Sequence, residues 1–168
     1  HITASNTIIG KCGQYSVACY IGGTYNFTHC TFANYWDYNQ RNTPSILLNN
    51  YYEGADGNIY VRDLHAANFT NCIIYGSRST TEVILDKKEL GAFNYNFNHC
   101  LIRRDHTIST DNSNIINQSP KFVDNGGDFH LTENSPAINA GYNSTEGTAD
   151  IEGNPRSNPD IGAYEFIE

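Results

Sequence analysis

Three stretches of this chain carry the same alternation of apolar and polar positions: YNFTHCTF (Tyr25 to Phe32), ANFTNCII (Ala67 to Ile74) and YNFNHCLI (Tyr95 to Ile102). Tyr25, Ala67 and Tyr95 share one parity with Phe27, Phe69 and Phe97. Cys30, Cys72 and Cys100 share the opposite parity with Phe32, Ile74 and Ile102. Side chains of a strand alternate faces, so both sets reach one core only if the chain bends between them. The polar pairs Thr28-His29, Thr70-Asn71 and Asn98-His99 fall at that bend, where side chains can bond the backbone groups a corner frees. Each phrase predicts a strand, a corner and a second strand.

The copies lie 42 and 28 residues apart, counted from Cys30 to Cys72 and from Cys72 to Cys100. Repeats on this scale mark a stacked unit, here one coil of a solenoid with one coil enlarged. Between the copies, PSILLNN (Pro44 to Asn50), GNIYVRD (Gly57 to Asp63) and TEVILDK (Thr81 to Lys87) are aliphatic and β-branched, and are expected to form the other faces of each coil. Stacking strands about 4.8 Å apart would set Phe on Phe and Cys on Cys. A leucine-rich repeat needs Leu and helical segments that the sequence lacks. An antiparallel sandwich gives no reason for identical phrases at matching corners. The expected fold is all-β: a right-handed parallel β-helix over residues 1–116, with residues 117–168 as a loop-rich C-terminal cap over the last coil.

These phrases, with ANYWDYNQRNTPSILLNNYYEG and the tail motifs DFHL, SPAINAG, DIEGNPR and PDIGAYE in that order, resemble the C-terminal portion of bacterial right-handed parallel β-helix proteins of the choice-of-anchor Q type. The resemblance covers most of the chain and is most specific in the tail. It implies a secreted or bacterial-surface protein, linked with polysaccharides and distantly similar to chondroitinase-B-like and pectate-lyase-like enzymes. A shared fold does not carry an activity with it.

Composition narrows the partners. A length of 168 residues, 39% hydrophobic, fits one domain with a real core. The net charge of −8 repels phosphate backbones and leaves no basic stripe, so nucleic acid is not an expected partner. No apolar run is long enough to span a bilayer, and the start does not resemble a signal peptide. The chain lacks Met and begins at His1, which reads as a processed chain or a piece of a longer protein whose earlier coils would be its first partner.

The candidate chemistry is thin. Five cysteines (Cys12, Cys19, Cys30, Cys72, Cys100), three of them at one ladder position, read as buried thiols; a Cys12–Cys19 bridge or stacked Cys30 and Cys72 are the alternatives. His29 and His99 occupy matching corners with Asn71 between them, which suits a structural ladder, since a catalytic group is needed only once. The resemblance to lyases implies a Lys or Arg base and often calcium. The weak catalytic candidates are Lys87, Arg103, Arg104 and His106, beside Lys88, Arg62 and His65, without an acidic metal cluster. Calcium would have to use DNGGD (Asp124 to Asp128) or Asp150, Glu152 and Asn154, neither of which matches an EF-hand loop. No metal site is assigned.

The aromatic loops NYWDYNQR and NNYYEG are different. Tyr35, Trp36, Tyr38, Tyr51 and Tyr52 are expected to share one rim of the enlarged coil, where rings can stack on sugars while amides and Arg bond hydroxyls. The expected function is a non-catalytic carbohydrate-binding or scaffold segment contacting a polysaccharide. The alternative is part of a polysaccharide lyase or glycoside hydrolase whose catalytic coils lie mostly upstream.

Overall fold

The bend in each phrase is made by a single residue. His29, Asn71 and His99 have φ of 51°, 53° and 49°, in the left-handed region that Asn and His tolerate better than most residues. Asn6, at φ 45°, makes the same corner one copy earlier. The computed structural model describes residues 1–143 and 147–167. Among these the chain is all-β, mostly parallel, and no helix is long and apolar enough to cross a membrane.

The strands are β1 (Ile2–Ser5), β2 (Ile8–Gly10), β3 (Val17–Cys19), β4 (Gly23–Thr28), β5 (Thr31–Asn34), β6 (Ile46–Asn49), β7 (Tyr51–Glu53), β8 (Ile59–Val61), β9 (Leu64–Thr70), β10 (Ile73–Gly76), β11 (Val83–Asp86), β12 (Asn96–Asn98), β13 (Leu101–Ile102), β14 (Ile115–Ile116), β15 (Phe122–Asp124) and β16 (Asp128–Leu131). Three parallel sheets result, with orders β1-β4-β9-β12, β2-β5-β10-β13-β14 and β3-β6-β11. The chain visits them in rotation, an arrangement compatible with a β-helix.

Register follows the repeated phrases: Phe27 pairs with Phe69 and Phe69 with Phe97. Their rings stack at 5.0 and 5.1 Å, and Phe32 meets Phe27 edge-on at 5.5 Å. Cys30, Cys72 and Cys100 lie fully buried in the same core. All five cysteines are free thiols, so neither bridge forms. Burial alone pushes the Cys19 thiol up to about 12, which leaves it a protonated, inert hydrophobe. Ile108, on the 103–114 connection, is buried in the same core.

The enlargement of the middle copy is divided between two corners. The register offset is 42 residues where Thr31 sits beside Ile73, 37 where Ile46 sits beside Val83, and 28 where Phe69 sits beside Phe97. Five extra residues therefore belong to the 35–45 loop and nine to the segment between β6 and β9. That second segment corrects an expectation. GNIYVRD does not form a face of the stack: its β8 pairs antiparallel with β7 as a projecting hairpin, turned by Asp56-Gly57.

The tail is also placed differently from the expected cap over the last coil. Its contacts run along the outer face of the β2-β5-β10-β13-β14 sheet, where Phe122, Phe129, Leu131, Ala137 and Ile161 cover Ala33, Ile73, Tyr75 and Leu101. The reason is visible in the sequence of that sheet. Runs such as CIIYG are apolar at every position, so both faces must be covered, as in any sheet buried on two sides. The antiparallel pair β15 and β16 supplies part of the cover.

Candidate functional site

The loop after β5 is held by a buried ion pair. Arg41 and Glu82 are both nearly devoid of exposure, with Nη2 to Oε1 at 2.6 Å and Nη1 to Oε2 at 2.9 Å. The remaining capacity of the carboxylate is filled by the Ser45 N–H and hydroxyl and by the Arg78 N–H, at 2.9, 2.8 and 3.1 Å. Arg41 also donates to the carbonyls of Asn34 and Thr43, at 2.8 and 2.5 Å. A buried pair is sustained by such additional hydrogen bonds, and here only the buried Arg41 Nε–H lacks a partner among the described residues. Gly76 makes room for it: a Cβ there would lie 2.4 Å from the Asn34 carbonyl and 2.5 Å from Glu82 Oε1.

Above this pair lies a cleft of about 490 Å³ between the 35–45 loop and the shorter 77–82 loop. Trp36, Asn39, Gln40 and Asn42 form one wall; Ser77, Arg78, Ser79 and Thr80 form the other. Trp36 is half-buried, its indole N–H donating to Asn39 Oδ1 at 2.8 Å and its ring tilted against Tyr38 at 4.8 Å. Arg78 ties the walls together by donating to the Asn42 and Thr81 carbonyls, at 2.7 and 3.1 Å. Such a cleft can offer an indole surface to an apolar ring face, and amides, hydroxyls and one guanidinium to polar substituents.

Of the five expected rim aromatics, only Trp36 lines this cleft, with Tyr38 exposed beside it. Tyr35 turns toward the tail and meets Phe122 edge-on at 6.2 Å, and burial raises its phenol pKa. Tyr51 donates to Asp86 at 3.0 Å beneath the Lys88 ammonium, and Tyr52 stacks on Tyr60 within the hairpin at 5.1 Å. The split follows from the two separate insertions, which leave adjacent phrases at different corners. Arg41 was expected only as a donor to sugar hydroxyls, and Arg78 and Glu82 were not expected as site residues. The one available signal was a charged residue opening the apolar run EVIL.

The basic candidates have structural surroundings. Arg103 lies over the Tyr75 ring at 4.0 Å and donates to the Gly76 and Arg78 carbonyls, at 3.0 and 2.6 Å, so it props the 77–82 loop. Lys87 pairs with Glu89 at 2.9 Å, Arg104 donates to the Asp105 carbonyl at 3.0 Å, and His106 is exposed. None of the four lines the Trp36 cleft. In the tail, Asp150 accepts from the N–H groups of Glu152, Asn154 and Glu165 and from the Asn154 amide, so its oxygens organise a loop. Asp124 and Asp128 likewise cap the N–H groups of Gly126 and His130. Among the described residues, no group of three His, Cys, Asp or Glu could hold a metal ion.

The corner residues receive the tail. Asn6 donates to the Ala149 carbonyl at 2.8 Å, Asn71 exchanges hydrogen bonds with the Tyr142 backbone, and the His99 ring packs on Tyr142 at 5.5 Å. His29 is buried, its Nε2 accepting from Asn71 Nδ2 at 2.9 Å, which places the proton on Nδ1. Burial, reinforced by the nearby Arg156 charge, pulls its pKa down to about 4. The unfolded chain protonates this imidazole near pH 6.5, but the folded chain does so only near pH 4. The His29 contribution to stability is therefore intact above pH 6.5 and lost as pH falls from there to 4, by about 3 kcal/mol at about 1.4 kcal/mol per unit. His29→Asn keeps a left-handed corner without a titrating group. Urea unfolding at pH 7 and pH 4.5 is expected to show a smaller acid loss in this variant; equal losses would place His29 in solvent.

No family model, curated protein or solved structure matches this chain, so its site is read from its own residues and their geometry.

Proposed function

We propose that this chain is a right-handed parallel β-helix segment, flanked along one sheet by its tail, that binds carbohydrate at the Trp36 cleft without catalysing a reaction. The observation that carries this reading is the lone tryptophan, half-buried beside a cleft lined by amides, hydroxyls and Arg78 over a rigid ion pair. Aromatic faces beside convergent polar groups suit pyranose rings, and a loop on a stiff scaffold is where binding usually resides. The three parallel sheets and the repeated phrases support the β-helix reading. The tail motifs and their resemblance to the choice-of-anchor Q type support a place in a secreted or surface-exposed bacterial protein, next to further coils of the same parent.

Titrating neutral and acidic oligosaccharides while following Trp36 emission tests the site directly. The expected result is a saturable shift, with binding by calorimetry at least tenfold weaker in Trp36→Ala and unchanged in Tyr52→Ala. Binding that survives Trp36→Ala would move the site elsewhere. Turnover of a uronic-acid polymer, seen as absorbance of the unsaturated product and abolished by changing Lys87 or Arg104, would instead make the chain part of a lyase.

A further inference from the structure

The sheet β1-β4-β9-β12 turns its Phe ladder inward, so every second side chain faces out. Register sets these outward residues in two rows across the strands: Thr3, Asn26, Asn68 and Asn96, and beside them Ser5, Thr28, Thr70 and Asn98. Rungs repeat about every 4.8 Å, and the rows lie about 6.6 Å apart along each strand. Every member is an uncharged hydrogen-bonding residue, on a chain whose net charge is −8.

Part of this capacity is used internally: Asn68 Nδ2 donates to Asn26 Oδ1 at 2.9 Å, Thr3 meets His1 at 3.0 Å, and Asn98 Oδ1 meets His99 at 2.9 Å. Among the described residues, the Thr28 and Thr70 hydroxyls and the Asn96 amide engage no protein partner. A trough of about 600 Å³ lies over the rows, and a second of about 240 Å³ continues from Asn96 toward Ser109 and Thr110.

We infer that this face binds a linear, uncharged polysaccharide laid along the rows, roughly one sugar ring to a rung. A ladder of identical donors and acceptors recognises a ligand that repeats at a matching interval, and an extended pyranose chain does so with hydroxyls on both edges. An anionic polymer would find no cation among the rows and would meet the negative field of the whole chain. An added β-strand would seek a sheet edge, where backbone groups are free, and not the side-chain face. This surface is separate from the Trp36 cleft, which lies between the other two sheets, so either site can fail without the other.

Co-sedimentation with insoluble cellulose, chitin and mannan tests the face, with soluble polygalacturonate as the anionic comparison. Wild-type chain is expected to be depleted by at least one neutral polymer. Measured in a Trp36→Ala background, so that the cleft makes no contribution, depletion should persist and be at least tenfold weaker when Thr28→Val/Thr70→Val, which keeps the β-branched shape, or Asn68→Arg is added. Far-ultraviolet circular dichroism and the thermal midpoint check folding; if Asn68→Arg does not fold, the valine pair decides. Depletion by none of the neutral polymers in the Trp36→Ala background, equal depletion of the valine pair in that background, or binding to polygalacturonate alone would each overturn the inference.

Discussion

Glu82→Ala is expected to destabilise the protein by about 3–5 kcal/mol, because it strands the Arg41 guanidinium in a site with almost no access to water. At about 2–4 °C per kcal/mol for a chain of this size, thermal unfolding should report a midpoint lower by roughly 10 °C. The same change removes the acceptor that holds the Ser45 and Arg78 N–H groups, so both walls of the Trp36 cleft lose their floor. Replacing both partners, Arg41→Leu with Glu82→Leu, should cost much less, since paired charges and a well-packed apolar pair of similar volume are often nearly equivalent when buried. A double variant as unstable as Glu82→Ala would mean that the hydrogen bonds to the loop carbonyls, and not the charge, carry the energy.

Phe69→Ala is expected to cost a comparable 3–5 kcal/mol. Phe69 is fully buried, stacked between Phe27 and Phe97 and edge-on to Phe32 at 6.1 Å, so its removal empties the middle rung of a filled ladder. Neighbours fixed by parallel pairing on both sides cannot collapse into the gap. Chemical denaturation gives the number, and a loss below about 1 kcal/mol would place the ring in solvent. The two substitutions share no partner and should add within about 0.5 kcal/mol in a double variant.

What was legible in the sequence was whatever the chain repeats. The Phe and Cys positions, the bend between them and the parallel register follow from parity and spacing alone, because a stacked strand imposes the same requirement each time. Features that occur once left no such trace. Arg41 and Glu82 are 41 residues apart and obey no period, so their pairing is fixed only by where the loops land. GNIYVRD is as β-prone as the strands of the stack, and apolar content cannot tell a sheet strand from a hairpin arm. The discriminating signal was Asp56-Gly57, between the runs ending at Tyr52 and starting at Ile59, since Asp-Gly between apolar runs is the strongest short-range mark of a hairpin. The apolar run CIIYG requires a covered outer face, but that requirement was not drawn from the sequence, and only the packing assigns the tail as the cover.

The contacts of the tail with Asn6, His29, Asn71 and His99 bear on how the molecule comes apart. Stacked repeats that touch only their neighbours unfold piecemeal, fraying from an end, since the loss of one unit leaves the rest intact. Here one segment grips the corner of four successive copies, with bonds such as Asn6 to Arg156 spanning nearly the whole chain. Residues 150 positions apart are thus bound to each other, so no copy can detach without loosening the clasp on the others. That converts a one-dimensional array into a single all-or-none unit, in which the copies lose their structure together.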